Sequence, residues 1–157
     1  MPEVETDFLF EARVALDEPI HVGQTPDGYR MIINVAGGSF DGPAMRGVVL
    51  PMSGADWSRI RADGSGALDV RMILKTQDGA LIYVHWHGIM LFENHEQSYA
   101  LDFSKPDDPD GASRYYFRAS PRFETADPKY AWLNNIVSVT KSRTGGGGVA
   151  HRVFAVR

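Results

Sequence analysis

The stretch from Leu68 to Glu93 carries Asp69, Arg71, Tyr83, His85 and His87 at alternate positions of two apolar, β-branched segments separated by Gln77-Asp78-Gly79. Residues spaced by two share one face of a β-strand, so a carboxylate, a guanidinium, a phenol and two imidazoles would lie together. Such a group has the chemistry to bind an anion through Arg71, to move a proton through His87 or Asp69, and to steady an oxyanion through Tyr83. The competing reading is that this face simply meets water, as one face of an antiparallel sheet normally does.

The connection decides the register. A two-residue Asp78-Gly79 turn sets Val70 opposite His87; a three-residue loop, with Gly79 left-handed, sets Asp69 opposite His87 and Arg71 opposite His85. Only the second segregates Val70, Met72, Leu74, Ile82, Val84 and Trp86 from the polar set, and it is the predicted register. Trp57, His85, Tyr116 and Arg118 are candidate substrate-binding residues around this group. Trp57 is read either as an aromatic capping a barrel mouth or as a packing residue. Asp56 reads as a turn or capping residue.

Gly79, His85, His87 and Glu93 imitate the first metal motif of a cupin barrel, with His151 as a conceivable fourth ligand. Five residues, not three or four, precede Glu93, and no second histidine block follows, so no metal is expected. There is no Gly-x-Ser-x-Gly elbow for a serine nucleophile. Gly145 to Gly148 lacks the lysine and helix of a phosphate loop and reads as a flexible hairpin tip. No cofactor is expected.

The elements that must hold these residues are strands. Turn signals recur at Pro26-Asp27-Gly28, Gly37-Gly38, Asp41-Gly42-Pro43, Asp63 to Gly66, Asp78-Gly79, Pro106 to Gly111 and Gly145 to Gly148. Between them lie about eight alternating segments, which predict an all-β, antiparallel barrel or sandwich with at most one or two short helices, near Glu93 to Phe103 and Lys129 to Leu133. Met1 to Thr6 is expected to fray, and Ser104 to Ser113 to form a surface loop.

A chain of 157 residues suits one domain, 1–157, and without cysteine it rests on packing alone. Sixteen basic residues, scattered among 20 acidic ones for a net charge of −4, leave no footprint for nucleic acid. No apolar run suits a membrane span, and the acidic stretch Met1 to Asp7 is unlike a signal peptide, so a cytoplasmic location is expected.

Several blocks together carry a family resemblance: Gly37-Gly38-Ser39-Phe40-Asp41-Gly42-Pro43, Gly54-Ala55-Asp56-Trp57, Asp63-Gly64, Leu68-Asp69-Val70-Arg71, Asp78 to Tyr83, Tyr116-Phe117-Arg118, Phe123-Glu124-Thr125 and Trp132-Leu133-Asn134. In this order, over nearly the whole chain, they resemble the DUF3237 family. The resemblance implies a small calycin-like β-barrel with an open mouth, often associating as a homo-oligomer. Some members look like cofactor-independent decarboxylases of lignin-derived phenylcoumaran carboxylates. His85-Trp86-His87 departs from the family pattern, where arginine or tyrosine is expected, and favours a member with its own substrate.

The resulting expectation is a cofactor-independent lyase that takes a small aromatic carboxylate. Arg71 or Arg118 would hold the carboxylate, Tyr83 and His87 would exchange a phenolic proton, and Asp69 would orient a neighbour. The alternatives are a non-catalytic barrel that binds aromatic ligands, and a metal-dependent cupin-like enzyme.

Overall fold

The computed structural model describes residues 3–157, and all its strand pairings are antiparallel. Ten strands follow one another: β1 (Thr6–Leu16), β2 (Ile20–Thr25), β3 (Gly28–Asp41), β4 (Gly47–Val49), β5 (Ala55–Ile60), β6 (Gly66–Thr76), β7 (Leu81–Leu91), β8 (Tyr116–Glu124), β9 (Ser138–Gly145) and β10 (Gly148–Val156). The one α-helix, α1 (Gln97–Ala100), is a single turn, and the 3₁₀ segments Asn94–Glu96, Gly111–Ser113 and Pro128–Asn135 complete the helical content. None of these helices is long and apolar enough to cross a membrane. The expected fraying of Met1 to Thr6 stops short of Thr6, which pairs with Val156; residues 1 and 2 lie outside the described residues.

The sheet runs β8-β7-β6-β4-β3-β1-β10-β9, with β2 added to β3, and β5 bridging β3 and β6. β3 is long enough to serve two sets of neighbours. Its first half pairs with β2 and β5, and its second half with β1 and β4. Between the halves Gly37 and Gly38 adopt φ of 135° and 143°, so the expected turn is a bend inside one strand. A side chain at Gly38 would collide with the Arg13 carbonyl of β1, which makes glycine obligatory there.

The sheet's two ends, β8 and β9, meet without a recorded backbone ladder. Hydroxyls on the inner face of β9 close the seam instead. Ser138 Oγ donates to the Pro121 carbonyl at 2.6 Å, and Thr140 Oγ1 accepts from the Ala119 amide at 2.9 Å. Ser120 Oγ in turn donates to the Ser138 carbonyl at 3.1 Å. Closing the sheet this way supplies buried backbone groups with partners and removes two free edges.

One end of the barrel is packed solid by Phe10, Phe40, Met72, Leu74, Ile82 and Val84, and plugged by Tyr130 and Leu133 of the 3₁₀ segment. A second, smaller cluster of Met90, Ala100, Tyr115 and Phe117 sits apart from the first. A cavity lined by residues of both clusters, among them Val14, Val70, Met90 and Phe117, opens into the barrel.

The Gly145 to Gly148 tip is held in place, in contrast to the expected flexible hairpin end. Gly146 and Gly147, with φ of 64° and 83°, make the two-residue turn. Their amides donate to the carbonyls of Lys105 and Phe103 at 2.7 and 2.8 Å, tying the tip to the 104–113 loop. The buried Arg143 guanidinium fastens the same loop through Asp107, at 2.7 and 2.9 Å, and ties it to β1 through Glu11, at 3.2 Å twice.

Candidate functional site

The β6–β7 hairpin has the three-residue register expected of it. Asp69 stands opposite His87 and Arg71 opposite His85, with Gly79 at φ 93°. The apolar face, Val70, Met72, Leu74, Ile82, Val84 and Trp86, is buried inside the barrel. The polar face therefore lies outside. Arg71, Tyr83 and His87 therefore do not line the barrel interior, because alternation that sends Val70 and Trp86 inward must send their neighbours outward.

On that outer face the candidates form two groups. Asp69 Oδ1 lies 2.9 Å from His85 Nε2 and 3.3 Å from Arg71 Nη1, and Arg71 stacks over Trp57 at 5.4 Å from the ring centroid. Trp57 faces outward from β5 and does not line the cavity mouth. His87 packs beside His85, with 4.6 Å between ring centroids, and borders an outer groove of about 580 Å³ along the β8–β9 seam, with Tyr116, Arg118 and Lys141. Tyr83 stands apart from both groups, paired in register with Ile73 and Glu124.

Asp69, His85 and His87 offer ligand atoms within 4.8 Å of one another, a set able to hold a divalent ion, although Arg71 competes for Asp69. His151 cannot join them. It projects into the barrel interior, on the other side of the wall, so the four-ligand cupin-like arrangement is excluded by geometry.

The interior cavity, about 600 Å³, holds the residues that sequence reasoning passed over. Its walls include Val14, Ile33, Val70, Trp86, Met90 and Phe117, and its polar groups include Asp56, Ser58, His21 and His151. Acidic Asp17, Glu18 and Asp102 also contribute, and among the described residues no lysine or arginine lines it. Asp56 belongs to β5, not to a turn, and only 8% of it is exposed. Its register partners are Ile33 on β3 and Val70 on β6, so apolar surface flanks the carboxyl.

The β5–β6 ladder is interrupted between the pairs Asp56–Val70 and Arg59–Ala67, and the Asp69 amide donates to Asp56 Oδ1 at 3.1 Å. Burial pushes the Asp56 carboxyl up to about 7, outweighing that one hydrogen bond. A carboxyl held near neutrality in an apolar cavity is suited to both giving and taking a proton.

Across the interior, His151 is 1% exposed and packs its ring against Trp86 and Phe117 at 4.6 and 5.5 Å. Burial, reinforced by the Arg143 charge, lowers its pKa to about 3, so the imidazole is neutral at ordinary pH. The indole N–H of Trp86 is buried with no hydrogen-bond partner.

Fold and cavity together define a small closed β-barrel with a ligand-sized, mainly apolar interior and one buried acid. The family model for DUF3237, described as a protein of unknown function, matches residues 4–156, and the chain belongs to that family. A UPF0311 protein of Rhodopseudomonas palustris (strain TIE-1) is 36% identical over 132 residues, covering 84% of this chain and 83% of that one. The crystal structure of a beta-barrel like protein from Acinetobacter baumannii AYE superposes with a TM-score of 0.83 at 32% identity, covering 100% of this chain and 98% of the other. A crystal structure described as an enzyme from Penicillium herquei shares the fold, with a TM-score of 0.71 at 21% identity, covering 100% of this chain and 98% of that one.

Proposed function

We propose that the barrel cavity binds a small aromatic molecule and that Asp56 moves a proton on it without a cofactor. The single observation carrying this reading is the Asp56 carboxyl, enclosed by apolar side chains and poised near 7. A cavity of about 600 Å³ lined by Trp86, Phe117 and aliphatic side chains suits a flat ligand of one or two rings.

The reaction best matched to such a site is decarboxylation of a para-hydroxyaryl acid of the lignin-derived, phenylcoumaran type. Protonated Asp56 gives its proton to the side-chain carbon that bears the carboxylate while the phenol loses its own, leaving a quinone methide. The bond to the carboxylate then breaks, carbon dioxide leaves, and the released electron pair re-forms the alkene and restores the aromatic phenolate. The phenol's proton passes to water, and water returns a proton to Asp56, restoring its acid form. The ring is the electron sink, and no metal or pyridoxal is required for the step to balance.

The outer groove supports a second reading. His87, Tyr116, Arg118 and Lys141 border it together, and its cations would hold an aromatic carboxylate that the cavity, lined by acids and, among the described residues, by no lysine or arginine, does not clamp.

Turnover of para-hydroxyaryl propenoic acids, followed by carbon dioxide release and loss of conjugated absorbance, tests both. Asp56→Asn should lower the rate by about a hundredfold or more while Arg118→Ala changes it little. Loss of turnover in Arg118→Ala with Asp56→Asn active would move the site to the groove. Tight binding without turnover, equal in wild type and Asp56→Asn, would make the protein a ligand carrier.

A further inference from the structure

We propose that His151 and Trp86 form the oxygen-recognising wall of the cavity, presenting two neutral N–H donors to a phenolate or quinoid carbonyl oxygen, with Ser142 and Thr140 as positioning residues. The proposal rests on reading the cavity as the functional site, and it adds the group by which the ligand is selected.

The direction of each hydrogen bond follows from one that cannot be reversed. The Ala119 amide can only donate, so Thr140 Oγ1 accepts from it at 2.9 Å. Thr140 Oγ1 keeps a second lone pair, but its buried hydroxyl proton is satisfied only by pointing to Ser142 Oγ, 2.9 Å away. Ser142 in turn directs its proton to His151 Nδ1 at 2.7 Å. Nδ1 is therefore an acceptor, and the single proton of the neutral ring sits on Nε2. Nε2 makes no recorded hydrogen bond among the described residues, and His151 lines the cavity.

Trp86 stands beside it, with 4.6 Å between ring centroids, also lining the cavity and with its indole N–H unpartnered. Buried donors are ordinarily satisfied, so the orphaned indole N–H of Trp86, next to an Nε2–H with no partner of its own, points to an acceptor that the protein itself does not supply. An indole and an Nε2–H imidazole can only donate. Amines and ammonium ions are thereby disfavoured, whereas an oxygen that carries negative charge and two or more lone pairs is matched. An aryl ring attached to that oxygen fits the neighbouring Phe117 and Met90. The uncharged donors avoid the cost of burying a permanent cation and still stabilise charge that develops on oxygen.

The test combines nitrogen NMR of His151 with binding of 4-nitrophenol at mildly alkaline pH in the Asp56→Asn background, followed by titration calorimetry, with 4-nitroanisole as the control. His151 should carry its proton on Nε2 and stay neutral on acidification through the ordinary imidazole range. Ser142→Ala should relax that preference to a tautomer mixture, which loss of packing alone would not do. His151→Phe and Trp86→Phe should each weaken 4-nitrophenolate by about tenfold, the equivalent of one hydrogen bond, and leave 4-nitroanisole nearly unchanged. A proton on Nδ1, a titrating His151, no binding of 4-nitrophenol, or equal losses for both probes would overturn the proposal. If Asp56→Asn abolishes turnover while these results fail, the proton-transfer reading stands and only the oxygen wall is refuted.

Discussion

Replacing Asp56 by asparagine should make the protein more stable at neutral and alkaline pH, and the pH dependence of that gain is its signature. The carboxyl has a folded-state value near 7 against 3.8 for the ordinary side chain. A group whose folded value is raised contributes stability that is complete below the unfolded value and is lost as pH rises through the folded one. Wild type should therefore lose stability relative to Asp56→Asn between about pH 4 and 7, and the difference should level off above. Three units of displacement correspond to as much as about 4 kcal/mol. In a domain of this size that is roughly 8–16 °C in melting temperature. Asparagine keeps an oxygen for the Asp69 amide, so any constant offset from its unpaired NH₂ does not alter the slope. Paired thermal melts from pH 4 to 9 read the difference directly. His151 and the surface acids titrate in both proteins and cancel. A gap independent of pH, or one that closes as pH rises, would refute the buried-acid reasoning.

Two further outcomes concern the frame that holds the cavity. Arg143→Met should destabilise the protein by about 3 kcal/mol, because it leaves Asp107 and Glu11 without their buried partner, with Arg13 offsetting part of the loss. The Arg143 guanidinium holds Asp107 down to about 2, so this support is complete above pH 4 and disappears as pH falls from there toward 2; melts across that range should show the variant and wild type converging. Ser138→Ala should cost about 1–3 kcal/mol by stranding the buried Pro121 carbonyl, and faster amide exchange along β8 would report the opened seam.

Much of the frame was legible in the sequence, and the polar residues of the interior were not, for one physical reason. Where a strand obeys the rule of apolar inside and polar outside, alternation reads correctly: Val70 to Leu74 and Ile82 to Trp86 face inward, and even the register across Gly79 follows. β5 inverts the rule. Asp56 and Ser58 point in, while Trp57, 37% exposed, points out under Arg71. β9 does the same, with Ser138, Thr140 and Ser142 inside and Val139 outside. A binary pattern cannot announce its own inversion, so Asp56 reads as a turn residue and the outward-facing Asp69, Arg71 and His87 read as the candidate site residues. Gly37-Gly38 misled in a similar way, since positive φ serves a bend within a strand as well as a turn. The surviving signal for the missed residues was short-range: an acid and a serine spaced by two in a segment with strand neighbours on both sides.

The central claim is that chemistry or binding happens inside the barrel, and the most direct measurement is a crystal structure with 3-(4-hydroxyphenyl)propanoate bound, the saturated analogue that lacks the alkene to be protonated. The account predicts the aromatic ring inside the cavity against Phe117 and Val70, with the side chain beside the Asp56 carboxyl and the phenol oxygen toward Trp86 and His151. Ligand density confined to the outer groove beside Arg118 and Lys141, with the cavity filled only by water, would contradict it.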